Sequence, residues 1–267
     1  LISKTYADGT YAYRSPLWVG LALFVLNSLD IEDFTRIMND KSECHGGKKL
    51  ENYLLDIAYK MPADPGDMFI FLKKFLSDSF ENDFLELLFN YLAISQNGLR
   101  ECDLMALMGT QWNDLDFATI RRYLSFAFFE SGPDKRWQLS HNKFTIALKS
   151  DLNDNEINQY HNQIADHLSS LDPMDSLRIT SGFHHLIEAN RYADAFSLIM
   201  ELPYIEAKIS YGYFPELLQE YNTIANHLSE EDEAQRLLTA TYNSLSSNYK
   251  FIRDHIKEYP QSVVQVL

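Results

Sequence analysis

The chain has 267 residues, 46% of them hydrophobic, and a formal net charge of −15. This length suits more than one domain of roughly 100–150 residues. The first 150 residues hold 16 Lys and Arg against 20 Asp and Glu, a balance of −4, which leaves −11 for the remainder. Such a charge disfavours binding to nucleic acid or to an anionic membrane, and we expect neither as a partner.

Two further features of the sequence indicate the cellular compartment in which the protein works. The longest apolar run near the start, residues 17–26, is too short to span a bilayer. Only two cysteines occur, Cys44 and Cys102, which is too few for a disulfide framework and favours a reducing, cytoplasmic location. Because the chain starts with Leu and ends in Val-Val-Gln-Val-Leu, we expect a fragment of a longer protein.

Residues 1–80 are predicted to form a helical subdomain. In residues 15–28, SPLWVGLALFVLNS, Ser15 is a plausible N-cap and Pro16 occupies the first helical position. The run is apolar nearly all round, which predicts a buried helix. An amphipathic stretch capped by Asp30, a polar loop at 40–48 and two more helices, LENYLLDIAYKM and MFIFLKKFLSDSF, complete this part.

Residues 81–150 predict three helices followed by a hairpin. ENDFLELLFNYLAIS and LRECDLMALMG are separated by the turn Gln96-Asn97-Gly98, and a third helix begins with Asp114 as its cap. A turn at 130–135 then separates FAFF from RWQLS, whose apolar residues alternate with polar ones. Helix, helix, helix and a two-stranded wing is the order of a winged-helix domain.

Residues 151–267 are predicted to be helical throughout. The stretch DSLRITSGFHHLIEANRYADAFSLIMEL predicts two antiparallel helices joined at residues 189–191, and SEEDEAQR at 229–236 predicts the start of another helix. No strict repeat period is present. The predicted class is therefore mainly α: a helical subdomain, a winged helix with a small β-hairpin, and an irregular array of helical hairpins.

The sequence contains no catalytic or metal-binding motif. It has neither a G-x-x-x-x-G-K-[ST] nor a G-x-G-x-x-G pattern. Residues 46–49, Gly-Gly-Lys-Lys, lack the rest of a phosphate loop and predict a solvated loop. Cys44-His45 is at most half of a metal site, and the adjacent His184 and His185 would project about 100° apart on a helix, so they would not readily share an ion.

Residues 136–148, RWQLSHNKFTIAL, contain a polar Ser-His pair between a strand pattern and a helix pattern. One interpretation is that Ser140 only caps the helix and His141 is exposed or packs locally. The other is that His141 contacts a phosphate group, since a histidine at a helix start can donate to an anion together with the first backbone amides. The residues alone leave both interpretations open.

Three stretches in this order resemble one family. RSPLWVGLAL resembles the proline-containing helix start of STAND-type NTPases, a group that includes the apoptosome ATPase, NB-ARC and NACHT proteins. LFNYLAISQNGLRECDLMALMG and the following residues up to Leu148 resemble their winged-helix domain. QYHNQIADHL, FHHLIEANRYADAFSLI and FIRDHIKEYPQSVVQ resemble the helical region that follows in members with C-terminal repeats.

The resemblance implies a nucleotide switch. ATP or ADP would lie between an upstream P-loop domain and these modules, with Pro16 near the adenine and His141, next to Ser140, on the β-phosphate of ADP. Asn142 stands where relatives have an acid, which leaves the carboxylate that supports the histidine in doubt. The resemblance further implies a downstream repeat or sensor domain, other protomers as partners upon activation, and no hydrolysis by this chain alone, since the P-loop would precede it.

Two other functions fit the residues. The acidic residues 151–267 could form a scaffold that holds a basic partner without any role for nucleotide. A winged helix could instead bind DNA, but its third helix opens with Asp114 and Asp116 and has only Arg121 and Arg122 as basic residues, so a positive face is lacking.

Overall fold

The computed structural model describes residues 1, 3–28, 46–77, 83–228, 233–256, 258–259 and 262–267. Over these residues the chain is mainly helical with one small two-stranded hairpin, which confirms the predicted fold class. No helix in this part is long and apolar enough to cross a membrane. The predicted amphipathic stretch 31–38, its cap Asp30 and the pair Cys44-His45 lie outside the described residues, as do residues 229–232.

The elements are numbered here in chain order. The helices before the hairpin are α1 (Pro16–Asn27), α2 (Gly46–Lys60), α3 (Pro65–Ser77), α4 (Phe84–Ile94), α5 (Glu101–Met108) and α6 (Asp114–Tyr123). The hairpin consists of β1 (Phe128–Ser131) and β2 (Arg136–Leu139). The helices after it are α7 (Asn142–Ser150), α8 (Asp154–Ser170), α9 (Ser176–Glu188), α10 (Tyr192–Met200), α11 (Leu202–Ser210), α12 (Phe214–Ala225) and α13 (Glu233–His255).

The contacts divide the chain into two compact units. The first comprises Leu1–Ala93, Met108–Ser131 and Trp137–Asn153. The second comprises Ile94–Leu107, Gly132–Arg136 and Asp154–Leu267. Two short segments from the range predicted as a winged helix, 94–107 and 132–136, thus group with the helical array.

Helix α1 begins where its sequence predicts. The Ser15 hydroxyl accepts a hydrogen bond from the Trp18 N–H at 3.3 Å, and Pro16 follows the cap as the first helical residue. The prediction that this helix is buried nearly all round is wrong, because Leu23 is 52% exposed while Trp18 and Leu21 are buried. One face of α1 packs against α2 and α3, and the opposite face remains exposed.

Helix α2 starts earlier than predicted. Residues 46–49 form the first turn of α2, so the prediction of a loop is wrong for Gly-Gly-Lys-Lys. Each glycine disfavours a helix by about 1 kcal/mol relative to alanine. The amphipathic pattern that follows Lys49 extends the helix through both glycines despite this cost.

Three helices and the hairpin follow in the predicted order. The turns after α4 and α5 contain Gly98 and Gly109, with φ angles of 74° and 54° that favour glycine. The cap of α6 is Asn113, whose side chain accepts from the N–H groups of Leu115 and Asp116, and not Asp114. Asparagine and aspartate both cap helices well. Asn113 is the cap because its backbone is extended, as an N-cap requires, whereas Asp114 is already helical.

Within the first unit, the hairpin strands pack on α6 through one aromatic side chain. Gly132 and Lys135 have positive φ angles of 73° and 53°, which closes the turn between the strands. The ring of Trp137 on β2 lies 5.4 Å from that of Phe128 on β1 and 5.6 Å from that of Phe117 on α6, measured between ring centroids. All four residues of β2 are half-buried, so the predicted alternation does not appear in their burial, but Trp137 packs on α6.

The second unit contains the helical array. Asp175 caps α9, and the three-residue turn 189–191 joins α9 to α10 as predicted, with Asn190 at a φ of 60°. Helix α9 packs on α8, α10 and α11, and α12 packs on α10, α11 and α13. The buried apolar core of the array draws on helices α8 to α13 and on residues 256 and 263 near its end.

Candidate functional site

His141 is the N-cap residue of α7. Its backbone is extended, with φ −143° and ψ 131°, and its Nδ1 atom accepts a hydrogen bond from the Lys143 N–H at 3.1 Å. The prediction that Ser140 caps this helix is therefore wrong. A histidine ring placed as an acceptor takes over the role that serine or asparagine usually has at this position.

Ser140 bonds to the residues that precede β1 and not to α7. Its hydroxyl donates to the carbonyl oxygen of Phe126 at 2.6 Å, and its N–H donates to the carbonyl oxygen of Ala127 at 2.8 Å. Both acceptors precede β1, so Ser140 fixes the end of the hairpin immediately before α7. The serine thus positions His141 and does not cap the helix itself.

The capping bond also fixes the tautomer of His141. Since Nδ1 accepts a hydrogen bond, the neutral ring carries its proton on Nε2. The side chain is exposed, and its ring centroid lies 5.9 Å from that of Phe144. Nε2–H can therefore donate to a group outside the helix, beside the N–H groups of the first turn of α7.

Pro16 is exposed at the start of α1. One turn into this helix, the Trp18 indole donates to the carbonyl oxygen of Pro62 at 2.7 Å. Two residues after Pro62, a carboxylate oxygen of Asp64 lies 3.3 Å from the Lys143 ammonium at the start of α7. Residues 62–64 thus contact the beginnings of both α1 and α7, the two helices that carry the predicted site residues.

Helix α3 holds α7 by close packing. The Phe69 ring stacks on the Phe144 ring with centroids 4.1 Å apart and planes inclined by 16°. Gly66 lies so close to α7 that a Cβ atom there would be 3.1 Å from the Ala147 Cβ and 3.2 Å from the Lys143 carbonyl oxygen. Sequence reasoning missed Gly66, Asp64 and Lys143, because a contact between helices so far apart in sequence leaves no local pattern.

An open groove of about 750 Å³ adjoins the first turn of α7. Asp8, Asp64, Asp67 and Lys143 are its charged lining residues, and Lys143 is engaged by Asp64 and lies 5.8 Å from the Tyr6 ring centroid. Because three carboxylates and only one amine line the groove, its net negative charge disfavours the binding of an anion there. The groove itself is therefore a poor phosphate site, and the exposed ring of His141 is the better candidate.

The adjacent pair His184 and His185 lies in the helical array. His185 is buried, and its Nδ1 lies 3.0 Å from Nδ1 of the buried His161. The His184 ring centroid is 5.1 Å from that of His185. In the part of the chain that the structure describes, no group of three or more His, Cys, Asp or Glu side chains is arranged to hold a metal ion.

Comparison with known proteins connects the second unit to one domain family. Residues 149–266 match the family model of the APAF-1 helical domain. Comparisons with curated proteins and with solved structures found no match. The matched residues begin at the end of α7 and cover α8 to α13, which is the part whose sequence resembles the helical region of STAND proteins. The C-terminal part of the chain is thus similar to the APAF-1 helical domain, a domain associated with apoptosome-type proteins, and this similarity supports the broad STAND resemblance.

Proposed function

We propose that this chain is the regulatory region of a STAND-type signalling NTPase. The observation that carries the proposal is the match of residues 149–266 to the APAF-1 helical domain, directly after three helices and a hairpin in winged-helix order. In this proposal the parent protein is a cytoplasmic ATPase involved in defence or death signalling. Its P-loop domain precedes the described helices, and a repeat or sensor domain follows them.

His141 is the proposed contact to the nucleotide. Its ring is exposed at the N-terminus of α7, and the Nδ1 atom is already used by the cap, so Nε2–H is the atom available to a β-phosphate oxygen. A helix N-terminus and a nearby donor together favour an anion. Pro16 is exposed at the start of α1, which suits an apolar contact with adenine, while Ser140 holds the hairpin end from which His141 projects.

These contacts would stabilise an off state. ADP bound between the P-loop domain and the first unit of this chain would favour the closed arrangement, since both sides would contact the same ligand. Exchange for ATP would remove that preference and permit oligomerisation with other protomers. The chain alone would supply positioning groups and no hydrolysis.

The proposal is tested with the full-length protein that contains this chain. Its mass in solution is measured by light scattering after loading with ADP and after loading with a non-hydrolysable ATP analogue. We expect a monomer with ADP and a defined oligomer with the analogue. An unchanged mass, together with no nucleotide retained through purification, would contradict the nucleotide switch and leave the acidic scaffold as the better explanation.

A further inference from the structure

A network of polar side chains fastens two short segments to the helical array within the second unit. The segments are 94–107, which contains most of α5, and 132–136, which contains the hairpin turn and the first residue of β2. We call this network the Arg100 junction. Its members are Asn97, Arg100, Asp103, Asp134, Arg136, His167, Asp175, Ser176, Thr180 and Ser181.

Arg100 lies at the centre of the junction. Its Nε and Nη2 atoms donate to the two carboxylate oxygens of Asp103 at 2.7 and 3.0 Å, and its Nη1 atom donates to Asp175 at 2.8 Å. Asp103 belongs to α5, and Asp175 is the N-cap residue of α9. One guanidinium therefore bridges a segment and the array, and its pKa is raised above the ordinary value, chiefly by the hydrogen bonds to Asp103.

Asp103 connects the same segment to α8. Its side chain is buried and also lies 2.9 Å from Nε2 of His167. Burial alone would raise the pKa of this carboxyl, but the hydrogen bonds with His167 and Arg100 outweigh burial and lower it to about 2. Asp103 is thus ionised and held by two partners, of which His167 belongs to the array.

Arg136 makes the second bridge. From the start of β2 it donates to the Thr180 hydroxyl at 3.1 Å and to the Ser176 hydroxyl at 3.0 Å, while Ser176 donates to Asp134. Asn97 adds a hydrogen bond to Ser181 at 3.0 Å. Both segments therefore reach the first two turns of α9 through side chains that are polar or charged.

The junction acts beside apolar packing. One apolar cluster of the array has buried members from 165 onward. The first segment also buries the side chains of Ile94, Leu99 and Leu104, whereas 132–136 contributes no buried apolar side chain. Charge-assisted hydrogen bonds therefore add directional contacts that fix both segments at α8 and α9.

We propose that the Arg100 junction is a polar latch, which holds residues 94–107 and 132–136 on α8 and α9 and opens while the array stays folded. Local opening of this kind has a lower free energy than global unfolding. The latch requires no nucleotide, so its test is independent of the proposed function.

Hydrogen–deuterium exchange of the whole chain tests the latch. We compare the wild type with Arg100→Ala and with the control Arg191→Ala, which also removes an arginine with two carboxylate partners, Asp166 and Asp194, but inside the array. Arg100→Ala should lower protection of peptides from 97–107 by about tenfold and leave α10 to α12 unchanged. Equal protection of 97–107 in both variants would overturn the latch, as would a parallel loss in α10 to α12.

A second variant keeps the latch testable if Arg100→Ala fails to fold. Asp175→Asn by itself should accelerate exchange of peptides from 97–107 several-fold and leave peptides from α12 unchanged. Unchanged exchange of 97–107 in Asp175→Asn would contradict the latch.

A double-mutant cycle identifies the bridging pair. Asp175→Asn keeps an amide oxygen as the cap of α9, where Asp175 now accepts from the Leu177 N–H at 2.8 Å, but removes the charge that faces Arg100. In exchange of 97–107, the effects of Arg100→Ala and Asp175→Asn should be clearly non-additive. Additive effects would show that the two residues act separately and would overturn the bridge.

Discussion

The Nδ1 atom of His141 accepts a hydrogen bond from the Lys143 N–H at 3.1 Å, so a histidine provides the cap of α7. This single contact gives the imidazole a defined orientation and a defined tautomer. It also separates two roles of the same ring, because Nδ1 serves the helix and Nε2 faces outward.

The capping role can be measured by itself in the isolated chain. His141→Ala should lower the free energy of unfolding of the first unit by about 1 kcal/mol, whereas His141→Asn should change it by a few tenths at most, since asparagine is a good N-cap. Urea denaturation followed by circular dichroism measures both. Equal losses in the two variants would contradict the assignment of His141 as the cap.

Gly66 and Gly20 form a matched pair of helical glycines. A Cβ atom at Gly66 would lie 3.2 Å from the backbone oxygen of Lys143, which cannot readily move, whereas a Cβ atom at Gly20 would have no atom within 4 Å. Gly66→Ala should therefore destabilise the chain by about 1–3 kcal/mol. Gly20→Ala should stabilise it by up to about 1 kcal/mol, because alanine favours a helix.

Thermal unfolding of these two variants measures the difference. A stabilising Gly66→Ala would show that α3 and α7 do not approach each other as closely as described. A destabilising Gly20→Ala would show that the exposed face of α1 is covered in solution.

The pKa of Asp103 predicts loss of stability in acid. The carboxyl has a folded pKa of about 2 against an ordinary value of 3.8, so its ionised form is favoured in the folded chain. The stabilisation is present above about pH 4 and is lost as the pH falls toward 2, with a total on the order of 2 kcal/mol. Asp103→Asn should lack this part of the pH dependence.

Urea denaturation between pH 5 and pH 2.5 provides the test. The difference in free energy of unfolding between the wild type and Asp103→Asn should shrink as the pH falls through this range. A constant difference would mean that the carboxyl of Asp103 is not held by Arg100 and His167 in the folded state.

Local signals in the sequence predicted much of the fold. Ser15 and Pro16 place the start of α1, the glycines at 98 and 109 mark the turns after α4 and α5, and the turn at 130–135 places the hairpin. Each of these depends on residues within one or two turns of each other. For that reason the class and the order of elements could be predicted from the sequence.

The two errors in assigning helix caps arose where neighbouring residues compete for one role. Ser140 and His141 are both polar, as are Asn113 and Asp114, and the backbone angles set by the preceding segment decide which one caps the helix. The Arg100 junction was beyond local reasoning for another reason. Its partners lie 64 and 75 residues apart in the sequence, so no spacing rule connects them.

The most direct test of the proposed switch is the rate at which the full-length protein releases bound ADP. It is measured with fluorescently labelled ADP for the wild type, for His141→Asn and for the control His227→Ala, an exposed histidine of the helical array. His141→Asn keeps the cap but removes Nε2–H. We expect it to accelerate ADP release by about tenfold, the effect of losing one charge-assisted hydrogen bond, with no change in His227→Ala. An unchanged rate in His141→Asn would contradict the phosphate contact and reduce His141 to a capping residue.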